Sequence, residues 1–320
     1  SFVIGKIASC AAMAMTFAAY AAPAGWQVPV AVAAVVLLAV VNCFGVTRTA
    51  LVTRILVVCS LLGLAVAVGF GFAATPTASP TPLPDATVYG VLQGAGLLFF
   101  AFAGYARIAT MGEEVVDPAR TIPRAIVFAL GGAVVVYALV GAVVVLVLGA
   151  EVIGSTAPLV DLLTAAGASA WTPVLRVAAA AASLGALLAL LTGIGRTTLA
   201  MAREGDVPRF LAKIDRRHQV PQRAEIAIAL IVIAIVLVAD LRGAIGFSSF
   251  GVLLYYLIAN AAAFRQTGRA RRYPRALQVL GALGCLVLVN TLPVFASLVG
   301  TAVVLLGVGY RVLRLRFTRV

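Results

Sequence analysis

The sequence predicts an all-α polytopic membrane protein with about ten transmembrane helices, and three observations predict it. Apolar residues fill 63% of the 320 positions, against about 45–50% in soluble chains, which excludes a water-soluble fold. Mean hydropathy is +1.11. Charged residues are 11% of the chain and gather between apolar stretches of about 17 to 25 residues, the length at which a helix crosses a bilayer. The formal net charge of +13 would suggest nucleic acid in a soluble chain. Here the arginines sit in short connectors beside spans, where membrane topology accounts for them, so no nucleic-acid partner is expected.

Taken in order, the apolar runs predict helices at roughly 3–22, 29–45, 51–73, 89–112, 124–149, 172–200, 225–240, 245–264, 277–292 and 294–311. Breakers separate them: Pro23 to Pro29, the Thr/Pro/Ser stretch from Thr75 to Pro84, Asp117 to Pro123, and Gly205 to Pro221. Alternating the helices places 20 of the 24 basic residues on one side, Lys6 and the Arg203 to Arg223 connector among them. Arg176 and Arg242 fall opposite, and Arg107 and Arg196 fall within spans. The positive-inside rule then puts both termini in the cytoplasm, in a plasma membrane. Cys10, Cys43, Cys59 and Cys285 are scattered, without the spacing of a metal or disulfide framework, so no metal and no cofactor is expected. The chain opens on Ser1 and enters an apolar stretch at once, without the pattern of a secretory leader, and is expected to be truncated at its N-terminus.

Most spans carry small residues that let helices approach, as with Gly63, Ala67 and Gly71. The fourth differs. Gly90-Val-Leu-Gln-Gly-Ala-Gly-Leu-Leu-Phe-Phe-Ala-Phe-Ala-Gly104-Tyr-Ala-Arg107 packs four glycines and three phenylalanines near mid-membrane and then an arginine. Glycine costs a helix about 1 kcal/mol relative to alanine, so an unwound break is cheapest here. Transporters use such breaks to bring backbone groups and half-helix dipoles to a solute. From composition alone the better reading is that the glycines serve helix packing and the phenylalanines face lipid or core.

The residues that follow are more specific. Gly112-Glu-Glu-Val-Val-Asp-Pro-Ala-Arg-Thr-Ile-Pro-Arg124 closely resembles the signature after the sixth helix of the amino acid-polyamine-organocation (APC) superfamily. Gly195-Arg-Thr-Thr-Leu-Ala-Met-Ala-Arg-Glu-Gly-Asp-Val-Pro-Arg-Phe-Leu211 is similar to its eighth helix and following loop, with Glu204 where Asp is commoner. Leu253-Leu-Tyr-Tyr-Leu-Ile-Ala-Asn260 and Tyr273-Pro-Arg275 resemble its tenth helix and the next connector.

This resemblance implies an inverted five-helix-repeat transporter fold lacking its first two helices. Residues 1–88 would be the remainder of the first repeat, 89–266 the second repeat, and 267–320 two C-terminal helices with a basic tail. It implies a substrate site at the broken helix: Phe100 as the gate, Phe99 and Phe102 beside it, and Ala101, Ala103 and Gly104 exposing backbone. Arg107, Glu113, Glu114, Arg120, Arg124 and Arg196 are candidates for a gate or inner ion pair, with a solvated surface pair as the alternative for the two glutamates. Ser183 and Thr192 would line an ion path, or else bond to the preceding helical turn. Some proton-coupled relatives hold a lysine in their fifth helix; the aligned positions here are Cys59 and Ser60.

The function expected is a secondary transporter, not an enzyme, moving amino acids or related amines by alternating access, with amino acid substrate and membrane lipid as partners. Coupling ion and oligomeric state stay open. Alternatives are a truncated, transport-inactive or accessory membrane protein and, below that, an intramembrane enzyme built on Gly246-Phe-Ser-Ser249, from which the sole histidine, His218, is expected to be separated by the membrane.

Overall fold

The computed structural model describes residues 2–44, 49–74, 86–104, 115–215, 218–267 and 273–317. Among these residues the regular structure is helical, with no strand. The elements are α1 (Phe2–Ala21), α2 (Gln27–Cys43), α3 (Thr49–Ala73), α4 (Val88–Phe102), α5 (Pro118–Leu148), α6 (Pro158–Ala165), α7 (Thr172–Glu204), α8 (Gln222–Val238), α9 (Leu241–Phe264), α10 (Arg275–Thr291) and α11 (Val294–Phe317). Nine of the ten expected spans coincide with one of them, and the fourth, expected over 89–112, is helical as α4 only to Phe102; α6 is an extra short helix inside a connector. Six helices among the described residues are long and apolar enough to cross a membrane. The protein is an all-α polytopic membrane protein.

Local chemistry sets several helix ends. Thr87 Oγ1 accepts from the Gly90 amide at 3.0 Å and starts α4, and Asp240 Oδ1 does the same for Gly243 at 3.0 Å at the start of α9. Gly205 ends α7 in the left-handed region at φ 73°, with the Asp206 amide donating back to Met201 O at 2.8 Å.

Contacts between helix ends define the two ends of the bundle. At one, Arg176 Nη1 donates to Tyr20 O at 2.9 Å, Gln93 Nε2 to Thr291 O at 3.0 Å, and Arg242 Nη2 to Gln93 Oε1 at 2.9 Å. At the other, Gln222 Nε2 donates to Cys43 O at 3.3 Å, Arg314 Nη1 donates to Glu204 O at 3.0 Å, and Arg311 pairs with Asp206 at 3.3 Å. The helices between these anchors run in the alternating directions that the charge pattern requires, and Arg203, Arg223, Arg265 and Arg275 all lie toward the second end.

At the centre stands α1, packed against α2, α7, α8 and α9. Its Ala8, Cys10, Ala11, Ala12, Ala14 and Ala18 are 0% exposed. Small side chains allow this crowding, because within lipid helices associate through close van der Waals packing rather than through burial from water. A Cβ on Gly5 would lie 3.1 Å from Ser248 O of α9. On the flank, α3 meets α7 through Gly63, whose Cβ would lie 2.5 Å from the Ala178 Cβ, and meets α5 through Gly71 against Val143. The larger apolar clusters are one shared by α1, α2, α7 and α8; one by α3, α5 and α6 with the ends of α1 and α7; and one by α4, α9 and α10, with a smaller one around Ala202, Leu211 and Ala224.

Gly63→Ala is expected to destabilise the protein by about 1–3 kcal/mol, since the Ala178 Cβ yields only if its helix moves. Gly69→Ala, with no atom within 4 Å of the added Cβ, is expected to be neutral or to stabilise by up to about 1 kcal/mol. Thermal unfolding in detergent compares the two, and equal shifts would refute the close α3–α7 contact.

Candidate functional site

The fourth helix stops early. Its 15 residues rise about 22 Å, short of the roughly 20 residues that a hydrocarbon core of about 30 Å demands. Because Val88 starts at the end of the bundle that holds Arg242 and Thr291, Phe102 lies well inside. There the winding tightens, with the Ala103 amide donating to Phe100 O at 3.3 Å, and Ala103 and Gly104 form a turn. A helix that ends leaves its last carbonyls without amide partners. Two side chains from other helices take them: Tyr137 Oη of α5 donates to Ala101 O at 3.2 Å, and Lys6 Nζ of α1 donates to Ala103 O at 2.9 Å.

Lys6 is 8% exposed. The flanking role expected for it is therefore corrected: it sits within the bundle. Gly5 lies against Ser248 and Gly251, and Ser9 Oγ is 2.7 Å from Ser248 Oγ, so Lys6 is level with the middle of the 24-residue α9. Around the break, Phe99 packs edge-on against Tyr256 with centroids 5.6 Å apart, and Phe102 against Tyr137 at 5.1 Å. Phe100 is half-buried, Ala103 is 3% exposed and Ala101 is exposed. The glycines divide by role. Gly96 lets α4 approach α10, where a Cβ would be 3.3 Å from Leu288 O, whereas at Gly104 an added Cβ meets nothing within 4 Å.

This arrangement ends a helix within an apolar bundle, with two of its last carbonyls bonded by side chains of other helices. Residues 1–312 match the family described as amino acid permease. The chain belongs to that family, within the APC superfamily. It is 49% identical over 312 residues to an uncharacterized transporter of Mycobacterium tuberculosis, covering 96% of this chain and 70% of that relative. It is 29% identical over 133 residues to a branched-chain amino acid permease of Bacillus subtilis, covering 41% of this chain and 29% of that protein. It is 28% identical over 183 residues to a chloroplastic cationic amino acid transporter of Arabidopsis thaliana, covering 56% and 31% respectively.

The other candidates in the permease are spread more widely. Arg107, Glu113 and Glu114 lie outside the described residues. Arg120 is 3.9 Å from Asp117 on the exposed start of α5, and Arg124 and Arg196 are exposed. Ser183 Oγ donates to Ala179 O at 2.9 Å, one turn back along its own helix. Thr192 Oγ1 is 2.9 Å from Leu188 O and 3.0 Å from Asn42 Oδ1, so it faces α2. Ser248 is bonded to Ser9 in the interior, while His218 pairs with Asp215 at 3.0 Å toward the basic end, so the serine-rich segment and the histidine do not meet.

A buried carboxylate in the permease was missed by sequence reasoning. Glu225, 4% exposed, accepts from Asn42 Nδ2 at 3.2 Å, which joins α2, α7 and α8 through Thr192 and Asn42. Gly195 supplies the space: its Cβ would overlap Glu225 Oε1 at 1.9 Å. The signal was a glutamate in the first turn of an apolar helix, and an ionisable residue inside a membrane span warrants a named partner.

Asn42→Leu is expected to cost about 1–3 kcal/mol, because it leaves the Glu225 carboxylate without that donor. Adding Glu225→Gln is expected to recover part of the loss by removing the charge. Unfolding midpoints of the single and double variants check the coupling; strictly additive losses would show that the two groups act independently.

Proposed function

We propose that this permease carries amino acids or related amines across the plasma membrane by alternating access, with the substrate seated at the break of α4. The observation that carries the reading is the early end of α4: 15 helical residues, then a turn whose carbonyls accept from side chains of other helices, with no described atom within 4 Å of a Cβ added at Gly104. Backbone that leaves regular winding inside a membrane is tolerated where it is buried in protein or lines a cavity, and transporters place substrate sites there.

Packing supports the moving parts. The cluster shared by α1, α2, α7 and α8 forms one body, tied internally by Asn42, Thr192 and Glu225. The break belongs to a second cluster with α9 and α10, and α5 leans on α3 in a third. Rocking of these clusters against one another, where α1 meets α9 and α3 meets α7, is the motion that alternating access needs. In this reading residues 89–266 form the second of two inverted repeats. Phe100 closes over the substrate between Phe99 and Phe102, and Arg107 with Glu113 or Glu114 forms an inner gate. The basic end faces the cytoplasm under the positive-inside rule. The relatives named for branched-chain and for cationic amino acids support amino acids as the cargo and leave the charge class open.

Purified protein in liposomes is expected to accumulate labelled amino acid. Gly104→Leu is expected to cut the rate at least tenfold while leaving the unfolding midpoint within a few degrees, because the added side chain enters open space. Full uptake by this variant would overturn the placement of the site; absence of uptake by the unaltered protein for every amino acid and amine tested would overturn the transport reading in favour of an accessory role.

A further inference from the structure

We infer that the connector between α7 and α8 is a docking surface for anionic phospholipid headgroups: Arg209, Lys213 and Arg223 hold lipid phosphates of the adjoining leaflet, and Phe210 inserts beside them. The inference uses the membrane-spanning fold and is independent of what the protein carries.

The connector is folded onto the bundle. Its single tight turn, Arg209–Ala212, buries Leu211 in one apolar cluster with Ala202 at the end of α7 and Ala224 at the start of α8. On the near side, Arg314 Nη1 donates to Glu204 O at 3.0 Å and Asp206 is 3.3 Å from Arg311, so α11 holds the strand of chain that leaves α7. On the far side the Asp215 amide donates to Val220 O at 2.9 Å, and Asp215 Oδ2 accepts from the His218 amide at 2.9 Å. A segment fixed in this way presents a constant outer surface.

That surface is basic and carries an exposed aromatic ring. Residues 203–223 hold six basic and three acidic side chains. Two of the acids are engaged, Asp206 by Arg311 and Asp215 by His218, and Glu204 is exposed. Arg209, Lys213 and Arg223 are exposed and make no ion pair among the described residues. Phe210 is 60% exposed although its neighbour Leu211 is buried. In a turn of three residues Phe210 and Lys213 share a side, so ring and ammonium project together.

The outer face of α8 gives the level of this patch. Arg223, Ile226, Leu230, Ala234 and Leu237 are exposed at spacings of three and four, which places them on one side of the helix. The four apolar members meet acyl chains, so Arg223 stands where that face leaves the hydrocarbon, at the headgroups. Leu211 shares a cluster with Ala224, which brings the tight turn beside Arg223. Cations without acidic partners at this level complement lipid phosphates, and a ring among them suits the boundary between headgroup and acyl chain. A soluble acidic partner would need the patch to stand clear of the bilayer, which the place of Arg223 on the lipid-facing side opposes.

The test titrates purified protein in detergent with phosphatidylglycerol or with phosphatidylcholine and counts bound lipid by native mass spectrometry. Phosphatidylglycerol is expected to bind about fivefold more tightly than phosphatidylcholine, and Arg209→Gln/Lys213→Gln/Arg223→Gln is expected to bring the ratio within about twofold of unity. Arg265→Gln/Arg275→Gln, on the next connector at the same end, is expected to keep the ratio, and Phe210→Ser to weaken both lipids alike. Equal binding of the two lipids by the unaltered protein, a ratio unmoved by the triple variant, or an equal fall in the Arg265/Arg275 variant overturns the inference. Should the triple variant not fold, the three single substitutions decide: a fall in the ratio upholds the surface, and no fall in any of them overturns it. Because no cargo has to move, failure here leaves the transport reading standing.

Discussion

A carbonyl inside a bilayer must find a donor, and at the end of α4 side chains of two other helices supply one. Leaving such a group unsatisfied in hydrocarbon costs several kcal/mol, so a helix that stops there survives only if other helices bring donors to it. Tyr137 and Lys6 do so from opposite neighbours, α5 and α1. The rest of the arrangement follows from this requirement. Because Lys6 must reach Ala103, α1 must be held deep and close, and the small residues along it allow that closeness.

The same requirement explains why polar groups are few and placed where they are. Asn42, Thr192 and Glu225 satisfy one another across three helices of the scaffold, and Gly195 yields the volume that the carboxylate occupies. A tie of this kind resists relative motion among α2, α7 and α8. Around the break, Phe99 meets Tyr256 and the packing on Leu292 is apolar, while Arg242, Gln93 and Thr291 O join α9, α4 and α10 by hydrogen bonds at one end of the bundle.

Charge is arranged on two scales. Arginines gather at one end of the bundle, where they contact chain termini of neighbouring helices such as Glu204 and Asp206, and there they are partly exposed and screened. Lys6 and Glu225 are different in kind, being buried within the bundle, where Lys6 donates to Ala103 O and Glu225 accepts from Asn42.

The sequence by itself determined the fold class and the order of the apolar helices, because apolar length is a local property read directly from composition. It also pointed to the glycine and phenylalanine segment as the exceptional span and to its family. It missed α6, whose 8 residues are too short to carry a periodic signal. Arg107, Glu113 and Glu114 lie outside the described residues. Tertiary structure alone decided where α4 stops and which groups receive it: Lys6, near the start of the chain, looked like one more flanking cation, and only the packing of α1 against α9 brings it to a carbonyl 97 positions away. The same holds for Glu225 and Asn42, separated by 183 positions. Such pairings depend on which helix faces touch, and that is set by the fit of small side chains between helices rather than by the hydrophobic pattern along any one of them.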